Sequence, residues 1–217
     1  MAPFPWQLVT FDIDGTLTTV HGWRRIAERF GRVADFESTS RRFVAGEIGE
    51  DAHLTNLMQI AEGRTVPEVE SILEDTPRLA GISEAVASLR SRGACVALLT
   101  HNPPYVCAWY VRRFGFDDFE GTTGQSMVGG RIGAPRGVHA DKPGGLRRLL
   151  VRHGIPPRAA IHVGDQISDA DIFPHIGGGI ALNSSDPRVN DRADRAVRAT
   201  DLREVVQVLL ELSPRPG

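Results

Sequence analysis

The apolar and polar positions change period several times along the chain, and each change marks an element. Leu8-Val9-Thr10-Phe11 is a short apolar run that reads as a first strand and ends in Asp12-Ile13-Asp14-Gly15. From His21 the spacing turns helical: Trp23, Ile26, Ala27 and Phe30 recur at i, i+3, i+4 and i+7 until Gly31 stops the run. Leu54, Leu57, Met58 and Ala61 repeat that spacing before Gly63. Thr65-Val66-Pro67-Glu68 then reads as a capping box with proline in the first turn, opening a helix through Val69, Ile72 and Leu73. Residues 18–78 are expected to be helical, with no strand.

After Pro77 helix and strand alternate. Ser83 is expected to cap a helix through Val86 and Leu89 that Gly93 closes. Cys95 to Leu99 is a continuous apolar run, the pattern of a parallel strand covered on both faces. Pro104 to Phe114 reads as a helix, and Val128-Gly129-Gly130-Arg131-Ile132 as a hairpin with its glycines at the turn. Pro143 opens a helix through Leu146, Leu149 and Leu150. Ala160–Val163 and Ile180–Leu182 are further buried strands, and Asp201-Leu202-Arg203-Glu204 is a second capping box before the last helix. Residues 1–6 read as a loose arm, and the chain beyond Ser213 as frayed. The expected fold class is α/β: a doubly wound, mostly parallel sheet from residues 1–17 and 79–217, with a small all-helical cap, 18–78, inserted after the first strand.

Composition narrows the function. A chain of 217 residues with 41% apolar content can bury one substantial core. The net charge of −2 and the lack of any long basic block argue against a nucleic-acid partner or a membrane surface. No apolar run approaches the length of a membrane span, and Met1 to Trp6 has neither the basic nor the apolar part of a secretory signal. Cys95 and Cys107 lack metal-ligand spacing and read as packing thiols, so the expected location is the cytoplasm.

The candidate chemistry collects at strand ends, where open α/β sheets place their sites. Asp12 and Asp14 stand one residue apart and repel, a repulsion that a divalent cation with oxygen ligands relieves. One such carboxylate can attack phosphorus while its neighbour passes a proton to the leaving oxygen. The Cys95–Leu99 strand ends in Thr100-His101-Asn102, and the Ile161 strand in Gly164-Asp165-Gln166-Ile167-Ser168-Asp169; Lys142 stands just before the Pro143 helix. A nucleophile, a proton donor, an ammonium and hydroxyls are what phosphoryl transfer requires.

FDIDGT, Thr100 within ALLTHN, Lys142 within DKPGG, and GDQISDAD, in that order, resemble the four motifs of the haloacid-dehalogenase-like superfamily of phosphohydrolases. The helical insertion resembles the cap of its phosphoserine phosphatase branch. The resemblance implies that Asp12 is a nucleophile forming an aspartyl-phosphate, and that Asp14 protonates the leaving group and then activates water. It implies that Thr100 and Lys142 hold the phosphoryl oxygens, and that Mg²⁺ is bound by Asp12, the backbone carbonyl of Asp14, Asp165 and Asp169, the last directly or through water. Thr16, Asn102, Ser168 and His21 are the expected substrate or phosphate contacts, with Ser168 also able to cap the helix that follows. Asp171 reads as a first-turn acid, and His101 and His162 as structural. The phosphoserine branch reads its substrate with a glutamate after the first motif and an arginine in the cap. By spacing, His21 and Thr55 stand at those points, so phosphoserine is not the expected substrate; Arg24, Arg25, Arg41 and Arg42 read as solvated cap surface. The expected activity is Mg²⁺-dependent hydrolysis of a small-molecule phosphomonoester. The alternatives are transfer to an acceptor other than water, as in a phosphotransferase or phosphomutase, and a non-catalytic phosphate-binding module. The mark of the last would be loss of Asp12, Asp14 or Lys142, all of which are present.

Overall fold

In a computed structural model of the chain, which describes residues 4–215, the first apolar run forms strand β1 (Leu8–Phe11). Four helices follow, α1 (Gly22–Phe30), α2 (Val33–Val44), α3 (Glu50–Gln59) and α4 (Val66–Glu74). The alternating part then runs α5 (Ile82–Arg90), β2 (Cys95–Leu99), α6 (Pro104–Phe114) and β3 (Asp118–Glu120), followed by a hairpin of β4 (Gln125–Val128) and β5 (Arg131–Pro135). It ends with α7 (Lys142–His153), β6 (Ala160–Gly164), the short α8 (Ile167–Ala170), β7 (Gly178–Leu182), α9 (Pro187–Arg192), β8 (Arg195–Val197) and α10 (Leu202–Glu211). The sheet order is β3-β2-β1-β6-β7-β8 with every pairing parallel. The chain winds outward on one side of β1 and returns to wind outward on the other. The carboxyl ends of β1 and β6 therefore flank the switch point where such sheets bind ligands.

Alternation along the strands divides the core in two. Val9, Phe11, Val96, Leu98, Ile161 and Val163 enter the larger cluster with α5, α6 and α10, while Leu8, Ala97, Leu99 and Ala160 face Leu146, Leu149 and Leu150 of α7. The same alternation places Thr10 and His162 on the α7 face, directly opposite each other in register.

The four-helix segment leaves and rejoins the core at one place, where Thr18 bridges Arg78 and the Leu79 amide donates to the Leu17 carbonyl at 2.9 Å. The β4–β5 hairpin braces it from the core side. Ile132 exchanges backbone hydrogen bonds with Gly63 (2.8 Å) and Arg64 (2.7 Å), and Gln125 Nε2 donates to the Met58 carbonyl at 2.8 Å. Among the described residues no helix is long and apolar enough to cross a membrane.

Several local expectations are corrected. Trp6 is no part of a loose arm: it is buried, with its indole N–H donating to the Leu209 carbonyl at 3.1 Å; residues 1–3 lie outside the described residues. The end is tied down as far as Arg215, which pairs with Asp194 and donates to the Phe173 carbonyl; residues 216–217 lie outside the described residues. Ser83 sits inside α5, whose N-cap is Gly81 at φ 70°, where a Cβ would meet Asp201 Oδ1 at 2.3 Å. Asp201 caps α10 through the Arg203 amide and binds the Arg203 guanidinium, so Glu204 closes no box. The Thr65–Glu68 box does form.

Candidate active site

Asp12 follows directly on β1, and its amide still donates to the Val163 carbonyl of β6 at 3.0 Å. Beyond it the Ile13 carbonyl gathers the amides of Leu17 and Thr18, and the chain reverses through Gly15 at φ 84°. A Cβ on Gly15 would lie 2.3 Å from Asp165 Oδ2, so glycine answers both the left-handed backbone and the close approach of the loop after β6. The turn sends the two acids different ways. Asp14 Oδ1 accepts the amide of Gly22, the first residue of α1, at 2.5 Å, and its Oδ2 accepts Asn102 Nδ2 at 2.9 Å. Thr100 Oγ1 accepts from the same Asn102 side chain at 3.2 Å.

Beneath them lies a buried ionic network. Lys142 Nζ, at the start of α7, stands 3.3 Å from Asp12 Oδ1 and bonds Asp169 Oδ1. Asp169 Oδ1 also meets His162 Nε2 at 2.8 Å, and its Oδ2 accepts the amides of Asp165 (3.1 Å) and Gln166 (3.0 Å). Those four donors fill the lone-pair directions of one carboxylate. His162 Nε2 faces that carboxylate, and its Nδ1 lies 2.8 Å from the Thr10 hydroxyl. His162 thus has an acidic partner in Asp169. The signal was the polar side chain of a strand otherwise fully buried, in register with Thr10.

Electrostatics follow from burial and crowding. Burial first, then the charges of Asp12 and Asp169, push Asp165 up to about 8. Burial pushes Asp12 upward too, against the pull of Lys142. For Asp169 burial is overcome by Lys142 and His162, which hold it below the usual carboxylate range. Lys142 loses by burial and gains more from Asp12 and Asp169, so it stays charged. Oxygens of Asp12, Asp165 and Asp169 lie within 4.8 Å of one another. Three acids against one ammonium, with oxygen donors only and one acid unable to ionise fully at neutral pH, suit a hard divalent cation.

Asp12, Asp14, Thr100, Asn102 and Lys142 line a cavity of about 70 Å³ together with Ser168 and His21, closed from above by Trp23, Phe43, Glu50 and His53. An open groove of about 1000 Å³ adjoins it on the Asp165 side, sharing Phe43, Glu50 and Ser168. Thr16 does not reach the cavity: it is fully buried and donates to Asp165 Oδ1 at 2.9 Å, fixing that acid. The Asp14 carboxylate is turned to the cap and lies outside the acidic cluster. Ser168 lies within α8, which Gln166 caps, and Asp171 sits at the C-terminal end of that helix paired with Arg192 at 2.5 Å, not in its first turn. His101 also has an acid, Glu50, with Nδ1 3.3 Å from Oε1. Thr55 bonds the Asp51 carbonyl away from the cavity, and Arg24, Arg25 and Arg42 pair with Glu28 and Glu47 on the cap surface. Glu50 and His53 are cavity residues that sequence reasoning missed, since each lies on α3 with no motif around it.

The profile of the haloacid dehalogenase-like hydrolases matches residues 6–177. The phosphoserine phosphatase of Halobacterium salinarum is 28% identical over 205 residues, covering 89% of this chain and 93% of that protein. That of Archaeoglobus fulgidus is 26% identical over 206 residues, covering 94% of this chain and 60% of that protein. Among solved structures, a phospho-aspartyl intermediate analogue of phosphoserine phosphatase superposes with a TM-score of 0.77 at 20% identity, over 94% of this chain and 98% of that one. A HAD family hydrolase from Salmonella enterica serovar Typhi gives 0.84 at 18% identity, over 96% and 72%. At these identities the structures show the shared fold.

Proposed function

The chain belongs to the haloacid dehalogenase-like hydrolases, and from that premise we propose that it hydrolyses a small phosphomonoester through an aspartyl-phosphate on Asp12, under a cap formed by residues 18–78. The observation that carries this reading is the convergence of Asp12, Asp14, Thr100 and Lys142 from three separate stretches of chain on one small cavity.

A phosphate dianion entering beside Asp12 meets the Thr100 hydroxyl and the Lys142 ammonium, which hold its oxygens. An Asp12 oxygen attacks phosphorus, the ester P–O bond breaks, and the leaving oxygen takes the proton of Asp14. Water then attacks the acyl phosphate, gives its proton back to Asp14, and releases inorganic phosphate and free Asp12. Asp14 is held by the first amide of α1 and by Asn102, so its aim depends on the cap being seated. The donor set fits Mg²⁺: Asp12 and Asp165 would hold it directly, joined by the Asp14 carbonyl, with the saturated Asp169 reached through water. When bound, Mg²⁺ supplies neutralising charge that lets the dianion approach the acids.

Asp12→Asn tests this. The expected result is loss of Mg²⁺-dependent p-nitrophenyl phosphate hydrolysis with an unchanged circular dichroism spectrum, and near-normal turnover in that variant excludes the nucleophile assignment.

A further inference from the structure

The part of the cavity beyond the phosphate position is bounded by the cap, and its charge is one-sided. Glu50 reaches it from the first turn of α3, with a side chain 39% exposed and shared with the open groove, so an entering ligand can touch it. Among the described residues that line the cavity, Lys142 is the one lysine or arginine, and it is committed to Asp12 and Asp169. The imidazoles of His53 and His101 are held neutral by burial, pushed down to about 4 and about 3. The amino end of α3, whose dipole could otherwise draw an anion, already carries Glu50 and Asp51. A carboxylate on the leaving group would therefore enter beside Glu50 with no uncommitted lysine or arginine of the cavity to meet it, at a cost in repulsion and desolvation. For an ammonium the balance reverses. Burial, against the pull of Lys142, pushes the Glu50 carboxyl above its usual range, and a cation brought beside it would favour its charged form.

We infer that the leaving group this site selects is a small amino alcohol, cationic at nitrogen and free of carboxylate, with Glu50 as the residue that reads the charge. This rests on the phosphatase reading above. It separates the chain's substrate from phosphoserine, the substrate that names the relatives, because phosphoserine brings a carboxylate along with its amine.

The test compares kcat/KM for O-phosphoethanolamine, glycerol 3-phosphate and O-phospho-L-serine in the full chain with Mg²⁺, alongside p-nitrophenyl phosphate. O-phosphoethanolamine is expected to exceed O-phospho-L-serine by about tenfold or more. Glu50→Gln is expected to cut the preference for O-phosphoethanolamine over glycerol 3-phosphate by about ten- to a hundredfold, chiefly through KM, as the loss of a charge-assisted contact implies. Equal use of the serine and ethanolamine esters, or a preference that survives Glu50→Gln, overturns the inference. Turnover of p-nitrophenyl phosphate with no amine preference leaves the phosphatase reading standing and this one fallen. Inertness toward every ester, including p-nitrophenyl phosphate, removes both.

Discussion

Below the cavity, Lys142, Asp169 and His162 are at most 4% exposed, and each is tied to the next by hydrogen bonds that run from Thr10 to Asp12. Above it the cap side is loosely tied. Glu50 is part-exposed, His21 Nδ1 has no hydrogen-bond partner and stands 3.9 Å from Asp14, and Phe43 stacks on His53 at the edge of the open groove. A saturated network in a low-dielectric interior has one good arrangement, whereas a part-solvated wall can change a side chain at small cost. On the proposed reading the floor is where reaction chemistry and stability are coupled, and the roof is where the scaffold can change its substrate while keeping its chemistry.

Removing one charge from the floor should give the largest effect. Lys142→Met leaves Asp12 and Asp169 buried without their cation, which should cost about 3–5 kcal/mol of stability and lower kcat about 10²–10³-fold. Urea unfolding and steady-state rates measured on the same preparation check both. A variant as stable as the parent would break the contrast between floor and roof.

A smaller effect belongs to His162. His162→Leu removes a donor from an ionised, buried acceptor and should cost about 1.5–3 kcal/mol. His162→Gln, which keeps an N–H of similar reach, should recover part of the loss. Because His162 lines no part of the cavity and reaches Asp12 only through Asp169 and Lys142, its effect on turnover should appear in kcat with KM nearly unchanged; a shift confined to KM would place it with the roof instead.

These two residues also show what was legible in the sequence. Asp12, Asp14, Thr100, Lys142 and Asp165 sit in short local motifs next to strand ends, and the strands announce themselves because burial on both faces leaves continuous apolar runs. His162 was read as structural because its partners come from a parallel neighbour and from the helix beyond the strand, and no local pattern joins Thr10, His162 and Asp169. The three-residue edge strands β3 and β8, half-buried to exposed, leave no such run, and α2 buries only Phe36 and Thr39 of its twelve residues. Glu50, His53 and His101 meet only when the cap is folded onto the core, so their shared cavity is a product of tertiary contact alone.

The smallest effect separates floor from roof by the sign of a pH slope. On the floor, Asp165 is raised from 3.8 to about 8 by folding. Between those values the native state keeps a proton that the unfolded chain has released, so metal-free stability falls as pH rises; Asp12, raised by burial, acts in the same direction. His53 and His101 in the cap-side wall run the other way. Their folded values of about 4 and about 3 lie below the ordinary 6.5, so the unfolded chain binds protons that the native state refuses, and stability rises with pH until about 6.5. Below about pH 6.5 the two histidines oppose Asp12 and Asp165, so the slopes largely offset, and above it the floor acids act alone, at no more than about 1.4 kcal/mol per pH unit for each proton. Thermal unfolding in EDTA should therefore be nearly flat up to about pH 6.5 and decline from there toward pH 8. Saturating Mg²⁺, which favours the ionised acids, should flatten the decline and let the histidines' rise show below about pH 6.5. If Mg²⁺ left both limbs unchanged, the cation would not be acting through Asp12 and Asp165.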